Sequence, residues 1–160
     1  QRNPLLHSRA EQVRAIQMAS ARHNIEGATR LSERDGAGAL MMAAADRVLL
    51  LGQTQFIALA SFPTGSILNR TFGASVGQRV RVVMAYSHKG ASTTQPSSDL
   101  DMRVLRPGGA SVGTSLSFDN TYEIVEFFAP VTGVYTIRIN SFRGSAGTEF
   151  IGWAVSRFDS

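Results

Sequence analysis

Residues 98–138, SDLDMRVLRPGGASVGTSLSFDNTYEIVEFFAPVTGVYTIR, hold three runs separated by turn signals, and within each run apolar side chains recur at every second position. Leu100, Met102 and Val104 alternate with Asp99, Asp101 and Arg103; Val125 and Phe127 alternate with Ile124, Glu126 and Phe128; Tyr135, Ile137 and Ile139 alternate with Thr136 and Arg138. A strand sends successive side chains to opposite faces, so this spacing gives each run one core-facing side and fits no helix. Pro107-Gly108-Gly109 and Asp119-Asn120 have the residue types that make turns between such runs. Strands this close in the chain, joined by turns, pair antiparallel.

The rest of the chain extends the pattern. Strands are expected at about 55–62, 67–72, 79–87 and 149–156, and 47–51 is also strand-like. Pro63-Thr64-Gly65 marks where the repeated β pattern begins. Upstream, Ser8 and Glu11 have the S-x-x-E spacing of a capping box, predicting a helix over 9–21 whose contact face carries Val13, Ile16, Ala19 and Ser20, broadened by Ala15 and Met18. A second short helix is expected at 39–45. The sum is a mainly β chain: a jelly-roll-like antiparallel β-sandwich preceded by an N-terminal helical segment, divided at about 1–50 and 51–160.

Composition enters as a set of exclusions. A hydrophobic content of 43% with 18% charged residues belongs to a globular chain rather than a disordered one. The net charge of +4 could point to nucleic acid, but the arginines are scattered over several strands and no aromatic residues interleave with a basic patch. Nucleic acid is therefore not expected as a partner. With no cysteine, disulfides, a zinc ribbon and a thiol nucleophile are excluded. The most apolar run, 37–51, is broken by Asp46 and Arg47 and is too short to span a bilayer.

Few residues carry a chemical pattern. Gly113-Thr114-Ser115 has the letters that surround a serine nucleophile, yet it lies in a β region and no base accompanies it, so Ser115 is expected to be inert. His7, His23 and His88 show no metal-binding or triad spacing and read as surface or turn residues. Asp99 and Asp101 share a strand face, where two carboxylates repel unless a cation sits beside them. Calcium held by Asp99, Asp101 and Asp119 is one resolution. The other pairs Arg103 with the strand acids and leaves Asp119 and Asn120 to the turn. Trp153 and Phe150, with Tyr86, Tyr122 and Tyr135, could form a sugar-binding platform, but Trp153 alternates with Ile151 and Val155 as a core residue does.

The segments SDLDMRVLRPGG, FDNTYEIVEFFAP and TGVYTIRI closely resemble the C-terminal β-sandwich module of bacterial subtilisin-like serine proteases. RNPLLHSRAEQVRAIQMASARHNIEGATRLSERDGAGAL is similar to the end of the catalytic domain in the same family, with its last long helix, an HNIEG-type loop and a DGAG turn. The resemblance implies that 1–50 is the helical remnant of a catalytic domain and 51–160 an accessory domain. It implies an exported protein whose catalytic Asp, His and Ser lie upstream. The chain alone would then be non-catalytic, with the catalytic domain and protein substrates as its partners. Opening on Gln1 with no leader-like segment, it reads as a processed product or a piece of a longer chain. A helix taken from its catalytic core would expose Val13, Ile16 and Met18 and favour self-association. The alternative is a free-standing β-sandwich module that binds carbohydrate or protein.

Overall fold

The computed structural model describes residues 5–22, 36–87, 96–144 and 146–158. Among them are helices α1 (Ala10–Ser20) and α2 (Met42–Leu50), followed by strands β1 (Thr54–Leu59), β2 (Ile67–Ala74), β3 (Arg79–Tyr86), β4 (Asp99–Leu105), β5 (Ser111–Ser115), β6 (Tyr122–Phe128), β7 (Gly133–Arg143) and β8 (Glu149–Phe158). The strands form two antiparallel sheets, ordered β1-β8-β3-β6 and β2-β7-β4-β5. Strands joined by long crossings between two four-stranded sheets make a jelly-roll sandwich, the architecture expected from the alternation.

The core lies where the alternating positions meet. Val80, Val82 and Met84 of β3, with Trp153 of the adjacent β8, share the core with Met102 and Val104 of β4 and Ile137 and Ile139 of β7, all buried. Tyr135 is fully buried too, stacked on Phe72 with ring centroids 5.6 Å apart, and its hydroxyl donates to the carbonyl of Val131 at 2.6 Å. That bond satisfies the polar end of a ring whose body belongs in the core. β4 occupies the residues expected of it, whereas β5 was not separated in the sequence because SVGTS holds a single large apolar residue.

Two local expectations are corrected. Residues 47–50 complete helix α2, which buries Ala45 and Val48, one helical turn apart. A four-residue apolar run cannot separate the two periodicities, and the packing of Val48 decides. Nor does Ser8 cap α1. It ends a 3-10 turn, Leu6–Ser8, and its hydroxyl donates to the carbonyl of Leu5 at 3.0 Å, while Glu11 accepts a hydrogen bond from the Ser87 hydroxyl at the end of β3.

The larger correction concerns the helix face. α1 buries Gln12, Ala15, Ile16, Ala19 and Ser20 against the outer side of the β1-β8-β3-β6 sheet, where Val83, Ala85 and Ala154 meet it. Val13 and Met18 are only half-buried at the edge of that contact. The helix expected to lack a partner is thus covered by its own chain, and the argument for self-association from an exposed Val13, Ile16 and Met18 patch falls away. α1 crosses the expected division near residue 50 to pack on β3 and β8.

This docking explains why β3, RVRVVMAY, has little alternation in its burial. One face looks into the sandwich and the other lies under α1. A strand covered on both sides reads as a continuous apolar run, not as in-and-out alternation. The contact side is built from small residues, and at Gly152 even a methyl group would lie 2.2 Å from the backbone nitrogen of Gln12.

Candidate functional site at the acidic end of the sandwich

The acids singled out in the sequence are gathered at one end of the sandwich. Asp99, at the start of β4, is buried, Asp101 two residues on is half-buried, and Asp119 is exposed in the bend between β5 and β6. Arg143 of β7 is the cation that reaches Asp99, with Nη2 3.9 Å from Oδ2, and it also donates to the carbonyl of Pro96 at 2.9 Å. Phe118 covers the Arg143 guanidinium at 5.0 Å from the ring centroid.

Arg103, expected to serve both strand acids, is exposed and favours ionisation of Asp101 only, alongside a hydrogen bond between Asp101 and Asn140. Burial outweighs these partners and raises the Asp101 carboxyl. Burial also raises Asp99, with the charges of Asp101 and Asp119 adding to it and Arg143 opposing. The β-bulge between Asp99 and Leu100 breaks the register with β7 at this point.

Glu123 was not among the acids expected here. It lies on the inward face of β6 with Val125 and Phe127, only 1% exposed. Its carboxylate accepts hydrogen bonds from the Ser115 hydroxyl and from the Ser117 backbone N–H, the latter at 3.1 Å. Burial dominates, and with the charges of Asp101 and Asp99 it pushes Glu123 up to about 7. Glu149 completes the inner acids, accepting from the buried Ser98 hydroxyl at 2.6 Å. Tyr86 stands among them, donating to the carbonyl of Asn120 at 2.7 Å.

A testable pH dependence follows. A folded-state pKa above the unfolded value means that the folded chain holds the extra proton between the two, so stability is full below about 4.5 and is lost as pH rises through about 7. The raised Asp99 and Asp101 act in the same direction. The unfolding free energy is expected to fall from about pH 5 to about pH 8, and Glu123→Gln to flatten that profile, being more stable than the parent at the upper end by about 3 kcal/mol. Parallel profiles for variant and parent, measured by urea denaturation, would exclude Glu123 as the titrating group.

Ser115 is held as a structural hydroxyl. It donates to Glu123 and accepts from the backbone N–H of Ile124 at 3.2 Å, and among the described residues no histidine stands beside it. His7 is exposed in the 3-10 turn; His23 and His88 lie outside the described residues. Among the described residues, no group of three or more acidic or histidine side chains is arranged to hold a metal ion. Calcium at Asp99, Asp101 and Asp119 would therefore draw most of its ligands from backbone carbonyls and water. The melting temperature is expected to be the same in millimolar calcium and in EDTA, since a ligand selective for the folded state would raise it by mass action. A calcium-dependent rise abolished by Asp101→Ala would instead establish an ion site.

The aromatic residues are dispersed. Tyr86, Tyr135 and Trp153 are buried, and Tyr122 lies under the Arg14 guanidinium at 5.0 Å. Phe150 stacks on Phe56 at the surface with centroids 5.8 Å apart, and Arg9 covers the Phe56 ring at 5.4 Å. They form no shared flat platform.

Fold and site together define a jelly-roll β-sandwich with a helical segment docked on one sheet and a hydrogen-bonded acidic end, with no activated nucleophile among the described residues. No helix among these residues is long and apolar enough to cross a membrane.

No protein-family profile and no curated protein matches the chain. Among solved structures it is similar to PliG of Aeromonas hydrophila, a periplasmic inhibitor of g-type lysozyme, at 20% identity over 66% of this chain and 87% of that one, with a TM-score of 0.44. It is also similar to the pre-peptidase C-terminal domain of a collagenase from Bacillus anthracis, at 10% identity over 64% of this chain and 89% of that one, with a TM-score of 0.45. At these identities and scores the likenesses carry no functional argument.

Proposed function

We propose that this chain is the non-catalytic C-terminal region of a subtilisin-like serine endopeptidase, in which the sandwich stabilises the catalytic domain that precedes it. The reading rests on the resemblance of SDLDMRVLRPGG, FDNTYEIVEFFAP and TGVYTIRI, which fall on β4, β6 and β7, and on the upstream segment that resembles the end of the catalytic domain.

The observation that carries the stabilising role is the seam between α1 and the sheet. The helix backbone lies against Gly152, and Arg81 of β3 binds the carbonyls at the helix C-terminus. Whatever is continuous with α1 is thereby fastened to the sandwich. Export and contact with protein substrates belong to the same proposal. A carbohydrate module is the weaker reading, because Tyr86, Tyr135 and Trp153 are buried, Tyr122 lies under Arg14, and Phe150 is left apart from them, stacked on Phe56.

The test is a serine-directed fluorophosphonate probe. Residues 1–160 are expected to remain unlabelled and to leave casein intact, whereas the longer protein from the same reading frame labels at a serine in a GTSxAxP sequence upstream of Gln1. Labelling of residues 1–160 that disappears in Ser115→Ala, or an upstream sequence without a triad, would refute the proposal.

A further inference from the structure

A groove of ≈ 460 Å³ lies between α2 and the end of β8, walled by Met41, Val48, Leu51 and Phe158 and flanked by Arg47 and Arg157. Its size falls within the range of about 300–1,000 Å³ usual for small-ligand clefts. Burial, and after it the charge of Arg47, pulls the Arg157 guanidinium below its ordinary value. Both guanidinium groups thus bring positive charge to one partly apolar groove.

Among the described residues, Arg157 is bonded by a neutral neighbour. With its amide oriented to suit both sides, Gln53 donates to the carbonyl of Val155 at 3.1 Å and accepts from Arg157 Nη1 at 2.8 Å and Nη2 at 2.6 Å. The Nε of Arg157 is buried without a hydrogen-bond partner. Among the described residues no carboxylate pairs with this guanidinium.

We propose that this groove binds the free C-terminal carboxylate of a peptide whose last residues are apolar. Arg47 and Arg157 hold the carboxylate, the guanidinium being the group whose paired N–H donors fit it. Met41, Leu51 and Phe158 take the apolar side chains, which a bare inorganic anion would leave unfilled. Gln53 and Ser156 also line the groove, and the second N–H of the Gln53 amide and the Ser156 hydroxyl are polar groups that a peptide backbone can meet and a hydrocarbon chain cannot. The inference stands apart from the protease reading and depends only on this groove.

The probe is fluorescein-Gly-Ser-Ala-Leu-Val with a free carboxylate, titrated with residues 1–160 and followed by fluorescence anisotropy at low salt. Saturable binding is expected, weakening as salt is added. The C-terminal amide of the same peptide, and the Arg157→Gln protein with the free acid, should each bind at least about tenfold more weakly, as loss of a charged hydrogen bond implies. Arg47→Gln, an exposed change on α2, should weaken binding as well and keeps the test decisive if Arg157→Gln disturbs the strand. The proposal is overturned by equal binding of acid and amide, by an unchanged affinity in both variants, or by no binding at millimolar protein. It is overturned equally if octanoate displaces the probe as well as the unlabelled peptide does, since the site would then take any apolar carboxylate.

Discussion

Replacing Arg81 with methionine is expected to lower the unfolding free energy by about 3–5 kcal/mol, the range found when one partner of a buried ion pair is removed. Arg81 is fully buried, and its Nε donates to Glu126 Oε2 at 2.8 Å across the β3–β6 pair. Its Nη1 reaches the carbonyls of Met18 at 3.0 Å, Ala21 at 2.8 Å and Ala37 at 3.0 Å. The last carbonyls of a helix have no partners within it, and here a strand arginine supplies one. Methionine fills similar space but removes the bond to Glu126 and those to the three carbonyls. Burial already disfavours the Arg81 charge, so the bonds, not the charge itself, are what hold this side chain in place. Urea denaturation followed by Trp153 fluorescence measures the change, and a loss below about 1 kcal/mol would show that the arginine contributes no more than an exposed ion pair.

Gly152→Val is the second large effect and acts on the same seam from β8. A side-chain carbon at this position would lie 2.2 Å from the Gln12 nitrogen and from the Glu11 carbonyl carbon, with the Glu11 oxygen at 2.3 Å. These are backbone atoms of α1, so no rotamer change relieves the clash and the helix must lift from the sheet. The expected cost is about 3 kcal/mol, at the upper end of overpacking. Hydrogen exchange locates it: protection should fall in α1 while β4 and β7 keep theirs, because their core lies on the other side of the sheet. Uniform loss across the sandwich would mean that the helix and the sheets unfold as one unit.

The seam also shows why parts of this chain could be read in advance and others could not. β4 was legible to the residue because Leu100, Met102 and Val104 face a core while Asp101 and Arg103 do not, an alternation that a single strand carries in itself. Glu123 left a readable signal: it is in phase with Val125 and Phe127, which places an acid on the inward face. The partner of Asp99 was not legible, since Arg143 follows Asp99 by more than forty positions and meets it only through β4–β7 pairing with a bulge between.

Arg81 and Gly152 mark the limit most clearly. In RVRVVMAY an arginine one position from a core valine reads as the solvent side of a strand, and in FIGWAV the glycine reads as a gap opposite the tryptophan. Both positions face α1, whose own contact side is set by Ala15 and Ala19 more than by Val13 and Met18. The β-sandwich is written locally in the chain, because strand alternation and turn residues need no knowledge of neighbours. The covering of one sheet on both faces, and the gathering of buried polar groups at the acidic end and at Arg81, arise only when the chain is folded. Those outcomes depend on which distant surfaces meet, and the free energy of burying a charge or a small residue is set by the partner across the contact, not by the residues beside it in the chain.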